Sequence, residues 1–173
     1  MRALRWILAV AIAAGLVAIL AVGASAALDA PSRTSTTSTV IDAPRERVWD
    51  IVTDFASYPA WNPYLTEISG AQRVGERLDI VLATPDHGSR DITAAIYVVR
   101  PPRKLRWQSR TLVPGLRDLE YEIIVAPLGP DRSQVQQRAR YEGLLAVFVD
   151  QEATSIGLER MAAALAHRAE AGA

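Results

Sequence analysis

The chain of 173 residues holds two histidines, His87 and His167, and no cysteine. Thiolate nucleophiles, Cys-ligated zinc and disulfides are therefore excluded together. His87 lies in TPDHGS, a turn between two alternating runs, and His167 falls on the charged side of a C-terminal helical pattern near Arg160. There is no H-x-x-x-H, no paired-carboxylate motif and no Gly-rich phosphate loop. Metal, hydrolytic and nucleotide chemistry each lack their minimum parts, so no catalytic or metal-binding residue is assigned and no cofactor is expected.

What remains is recognition chemistry. Residues 104–112, 116–127 and 133–141 alternate with period two, as strands with one buried face do. One parity collects Leu105, Trp107, Ser109 and Thr111, then Leu119, Tyr121, Ile123 and Val125, then Val135, Gln137, Ala139 and Tyr141. Trp107, Tyr121 and Tyr141 are apolar bodies with polar tips, while Ser109, Thr111 and Gln137 stand where a dry core favours aliphatic side chains. A few polar groups in an apolar concavity describe a ligand pocket. The alternative is that they satisfy one another or a buried water. The other parity puts Asp118, Glu120 and Glu122 between Lys104, Arg106, Arg110 on one side and Arg138, Arg140 on the other, a wet ladder of opposite charges. The inward set contains no Asp, Glu, Lys, Arg or His, so an enzyme that positions an enolate would lack its buried acid or base.

Three earlier runs, 65–69, 77–82 and 90–100, also alternate. They are punctuated by Gly75, PDHG, Pro101-Pro102, Pro114-Gly115 and Gly129-Pro130, connections short enough to make neighbouring strands antiparallel. Ahead of them, IDAPRERVWDIVTDF places Asp42 and Pro44 at a helix start and Val48, Ile51, Val52 and Phe55 on one face. Asp54 caps a second helical turn through Tyr58, and Pro59 with Pro63 bends the chain. The segment WDIVTDFASYPAWNPYL thus carries five rings, Trp49, Phe55, Tyr58, Trp61 and Tyr64, on two short helices that meet at a bend. At the far end Ile156, Leu158, Met161, Ala162, Leu165 and Ala169 recur at helical spacing, predicting a long helix over 154–170 that lies on the apolar face of the sheet. Met161 and Leu165 on that stripe join the candidate ligand contacts.

The first 28 residues differ in kind. Arg2 and Arg5 precede an uncharged apolar run from Trp6 to Leu28, about the length of a bilayer-spanning helix. An uncleaved single-pass anchor and a secretory signal cut after Ala26 in Ala24-Ser25-Ala26 both fit, and either exports the rest of the chain. Residues 29–39, rich in Ser and Thr, suit a solvated linker whose end joins the sheet through Val40 and Ile41. Nineteen Lys and Arg balance nineteen Asp and Glu, which leaves no electrostatic drive toward nucleic acid.

The opening IDAPRERVWDIVTDFASYPAWNPYL, with its A-P-x-x-V-W, D-F and Y-P-x-W-N-P, resembles the START-related superfamily called SRPBCC. VRPPRKLRWQSR, Pro114–Leu116, YEGLL and GLERMAAALAHRAE look like matching segments of its polyketide cyclase/dehydrase-like and carbon monoxide dehydrogenase G-like members. The resemblance covers residues 40–170. It implies an α+β helix-grip fold: a curved antiparallel sheet, two short helices and a long C-terminal helix, here preceded by one N-terminal apolar helix. In that fold the two short helices close one end of a cavity, which puts Trp61 and Tyr64, just past the bend, either in the core or at the cavity rim. The expected function is an exported or membrane-tethered binding protein for a hydrophobic small molecule such as a lipid or polyketide. A polyketide cyclase/dehydratase and an assembly module are the alternatives.

Overall fold

The computed structural model describes residues 31–84, 88–110 and 115–171. Along the chain run β1 (Ser32–Ile41), α1 (Arg45–Thr53), a 3₁₀ turn (Phe55–Ala60), β2 (Leu65–Ser69), β3 (Arg77–Thr84) and β4 (Gly88–Arg100). They are followed by β5 (Lys104–Ser109), β6 (Asp118–Gly129), β7 (Arg132–Glu142), a second 3₁₀ turn (Leu144–Phe148) and α2 (Gln151–Glu170). Among the described residues the strands form one curled antiparallel sheet in the order β1-β7-β6-β5-β4-β3-β2. Irregularities at Leu65/Glu67, Ile96/Val98 and Pro127/Gly129 add local twist where the sheet bends. With α1, the first 3₁₀ turn and the long α2 on its apolar face, this is the helix-grip arrangement that the resemblance implies.

The predicted parity of the last strands is the observed one. Leu105, Trp107, Leu119, Tyr121, Ile123, Val125, Val135, Gln137, Ala139 and Tyr141 are all buried, while Arg106, Glu120, Arg138 and Arg140 lie on the opposite face. The pairs on that outer face run diagonally across the strands: Lys104 Nζ meets Glu122 Oε2 at 2.5 Å and Arg106 Nη2 meets Glu120 Oε2 at 2.6 Å. Tyr97 donates to the same Glu120 oxygen, and the Arg106 guanidinium stacks over the Tyr97 ring.

One boundary moves. Residues 29–39 read as a linker, yet β1 starts at Ser32 and pairs with β7 in unbroken register from Ser32↔Glu142 to Ile41↔Ser133. β-branched threonines suit an extended backbone, and the free edge of β7 supplies the hydrogen bonds that water would otherwise satisfy. Three side-chain bonds then fasten the start of α2 to this strand. Gln151 Nε2 donates to Thr34 O at 2.9 Å, Ser155 Oγ to Ser35 Oγ at 3.0 Å, and Ser35 Oγ to Gln151 O at 3.3 Å. The apolar run of residues 1–28, the turn residues 85–87 with His87, and Thr111 lie outside the described residues.

The bend after α1 is held differently from expectation. Neither Asp42 nor Asp54 caps a helix with its side chain; Asp42 instead pairs with Arg132 at 2.9 Å. The buried Asn62 does the fastening, its Oδ1 accepting from the backbone N–H of Tyr64 and of Leu65, each at 3.0 Å. Tyr58 stands edge-on to both Phe55 and Trp61 and donates its hydroxyl to Val52 O at 2.7 Å, tying the 3₁₀ turn back to α1. Pro59 and Pro63 stop the helix; Asn62 and Tyr58 supply the partners that the broken helix leaves unmet.

Candidate functional site

At the end of the sheet where β3 ends and β4 begins, a cavity of about 140 Å³ opens between the sheet and the N-terminus of α2. Tyr64, Leu82, Arg90, Arg117, Tyr141 and Thr154 line it, with Phe148, Val149 and Asp150 at its lip. Tyr64 follows the Asn62 bend into β2, Tyr141 is the last inward residue of β7, and Thr154 faces inward from the first turn of α2. That turn is set by Asp150, whose Oδ1 accepts from Ala153 N at 2.9 Å.

The side chains of Tyr64, Tyr141 and Thr154 come together in this cavity, and the Thr154 hydroxyl donates to Asp150 O at 2.8 Å, which leaves its oxygen free to accept. Burial pushes both phenols above the ordinary tyrosine value, outweighing the opposite pull of Arg90 on both and of Arg117 on Tyr141. At neutral pH they are uncharged groups able to donate or accept. Beside them a second hollow of about 210 Å³ shares Arg90, Arg117 and Tyr141 and adds Ser109, Asp91 and Arg110. The mouth therefore offers neutral hydroxyls deep and guanidinium groups toward solvent, a gradient suited to an oxygen-rich polar group.

The predicted residues divide among four places. Tyr64 and Tyr141 meet in the first cavity and Ser109 lines the adjoining hollow. Trp107, Tyr121, Gln137, Met161 and Leu165 are brought together deeper, between sheet and α2, as packed interior: Trp107 stacks on Tyr121 with ring centroids 4.5 Å apart. Tyr121 Oη donates to Gln137 Oε1 at 2.7 Å and lies 3.4 Å from the Met161 sulfur. Gln137 Nε2 is buried without a partner. Trp61 is half-buried, donates to Ser57 Oγ, and faces a surface groove that it shares with Arg47, Asp50 and the exposed His167 rather than the Tyr64 cavity. Thr111 is the tenth predicted residue.

Thr154, Arg90, Arg117 and Phe148 were missed. For Thr154 a signal existed: extending the stripe backward from Leu165 through Met161 and Leu158 by steps of four, three and four arrives at position 154. Arg90 and Arg117 carried none, since hydrophobic spacing does not register where a long charged side chain near a strand end reaches.

A family model described as polyketide cyclase / dehydrase and lipid transport matches residues 32–171. Among solved structures, a START superfamily protein from Mycobacterium smegmatis superposes with a TM-score of 0.65 at 21% identity, covering 81% of this chain and 99% of that one. Norcoclaurine synthase from Thalictrum flavum, solved with dopamine and hydroxybenzaldehyde, gives 0.63 at 15% identity over 82% and 88% of the two chains. A protein from Thermus thermophilus gives 0.64 at 18% over 82% and 99%. These likenesses establish the fold. Comparison with curated proteins finds no match.

Proposed function

The chain belongs to the polyketide cyclase / dehydrase and lipid transport family, and from that premise we propose that it is an exported or membrane-tethered binding protein for an amphiphilic hydrophobic molecule. The observation that carries this reading is the buried cluster of Tyr64, Tyr141 and Thr154 in a cavity flanked on one side by the apolar Phe148 and Val149. A volume of about 140 Å³ is less than half of the roughly 300 Å³ at which whole-ligand pockets begin, so it holds a polar end group rather than an entire molecule. The remainder of the ligand lies along Phe148 and Val149 at the lip. Arg90 and Arg117, which make no ion pair among the described residues, favour a carboxylate or another acidic oxygen group at that polar end.

A second reading is a cyclase or dehydratase of the polyketide type. It is favoured by the same two neutral phenols, which are able to donate hydrogen bonds to a carbonyl oxygen as charge develops on it.

The test is mass spectrometry of small molecules that co-purify with the full chain extracted in native lipid patches, set against an Ala153→Trp variant that fills the cavity. Bulk lipid cancels between the two. A compound enriched with the unaltered chain, and reduced by Tyr64→Phe or Tyr141→Phe, supports binding at this cluster. Equal lipid and metabolite profiles from all the folded variants refute it, and conversion of the enriched compound on incubation moves the assignment to the enzyme.

A further inference from the structure

Leu144, Leu145, Val147 and Phe148 sit on the second 3₁₀ turn with 57%, 39%, 44% and 81% of their surfaces exposed, the densest run of uncovered large apolar side chains among the described residues. The turn is held rigidly. Leu144 N and Leu145 N donate to Gly115 O and Leu116 O at 3.1 and 2.8 Å, and Gly143, at φ +116°, lets the two backbones approach where a Cβ would come within 2.4 Å of Gly115 O. A turn fastened this firmly with its apolar side chains outward is a presented surface.

We propose that this turn rests on a lipid bilayer, with the cavity mouth facing the membrane. Three observations converge on a lipid surface. First, the patch is continuous with the mouth, because Phe148 and Val149 belong to both. Second, Gly143 N donates to Pro31 O at 3.1 Å and Ser32 pairs with Glu142, so the chain enters the domain immediately beside the patch. The apolar run ends at Leu28, three residues before Pro31, and three residues span at most about 11 Å. A segment of bilayer-spanning length is thus tied within about 11 Å of the patch, which rests on the reading of residues 1–28 as lipid-embedded. Third, the run Leu144–Val149 carries no charged side chain, so the contact is apolar and needs no anionic lipid. In this orientation a ligand's polar end reaches the hydroxyl cluster while its apolar part stays in the bilayer.

The absence of native cysteine permits a direct test. Full-length Phe148→Cys and Leu128→Cys chains, each carrying one environment-sensitive fluorophore, are combined with zwitterionic phosphatidylcholine vesicles containing brominated acyl chains. Leu128 is also exposed apolar surface, at 53%, but it lies at the β6–β7 turn, one strand length away, about 35 Å for the eleven residues of β7. The expected result is strong bromine quenching at position 148 with little at 128, unchanged in high salt. Chains that float with the vesicles yet show no quenching at 148, or quenching equal at both positions, overturn the docking while leaving the tether intact. Oxidative cross-linking of two chains through position 148 in place of quenching assigns the patch to a second copy and overturns it too. Failure to float removes the tether and the docking together, whereas the ligand reading stands or falls on the cavity variants alone.

Discussion

Gly157 of α2 lies flat against the ring of Tyr64: a Cβ at this position would come within 2.3 Å of two ring carbons and 2.9 Å of a third. The absence of a side chain on one helix residue therefore sets how deeply the phenol sits under α2, and hence where its hydroxyl meets Tyr141 and Thr154.

Replacing Gly157 with Ala opposes two effects. Helix propensity gains about 1 kcal/mol, while overpacking against a buried ring costs about 1 to 3 kcal/mol. The contact includes the ring carbon nearest the backbone, which a rotamer change moves least, so the cost wins. Gly157→Ala is expected to lower the melting temperature and weaken ligand retention; a variant that melts higher than the parent would show that the ring yields freely.

Tyr121 and Gln137 form a buried pair in which one amide atom already lacks a partner. Tyr121→Phe strands the second and is expected to cost about 1 to 3 kcal/mol in urea unfolding. Adding Gln137→Leu removes the stranded groups and recovers most of that loss. A double variant as unstable as the sum of the two singles would contradict the pairing.

On the wet face, burial would raise the Glu120 carboxyl, but hydrogen bonds from Arg106 and Tyr97 outweigh it and hold the group below the ordinary glutamate value. A depressed folded-state pKa contributes stability above the unfolded value, near 4.3, and that contribution is lost as pH falls through the lower folded value. Glu120→Gln is expected to cost about 1 kcal/mol at pH 7, discounted for solvent screening of a partly exposed pair, and progressively less below about pH 4. A pH-independent difference would place the effect in packing.

All five tyrosines, Tyr58, Tyr64, Tyr97, Tyr121 and Tyr141, are raised above the ordinary value, with burial the largest cause at each. Stability from a raised group is complete below the unfolded value near 10 and is lost as pH climbs above it. Ultraviolet titration should therefore show no tyrosinate absorbance near pH 10 in the folded protein, then a steep rise coincident with loss of circular dichroism. Gradual ionisation of even one ring while the fold persists would count against its burial.

Periodicity along the chain was enough to determine the strands from β2 to β7, the faces that β5, β6 and β7 present, and the C-terminal helix, because alternation and helical spacing are local consequences of which side meets water. Thus Trp107, Tyr121 and Gln137 were legible as inward. The tertiary structure alone decided that these three fill the interior against one another while Tyr64 and Tyr141 line the opening, since volume is shared among elements distant in sequence and no residue carries its neighbours' size. It also decided that Ser32–Thr39 is a strand, through an edge of β7 more than ninety residues away in the chain. Last, it decided that Gly143 turns Leu144–Phe148 outward beside the cavity, because a positive φ and a close backbone approach belong to the contact between two loops and leave no mark in hydrophobic spacing.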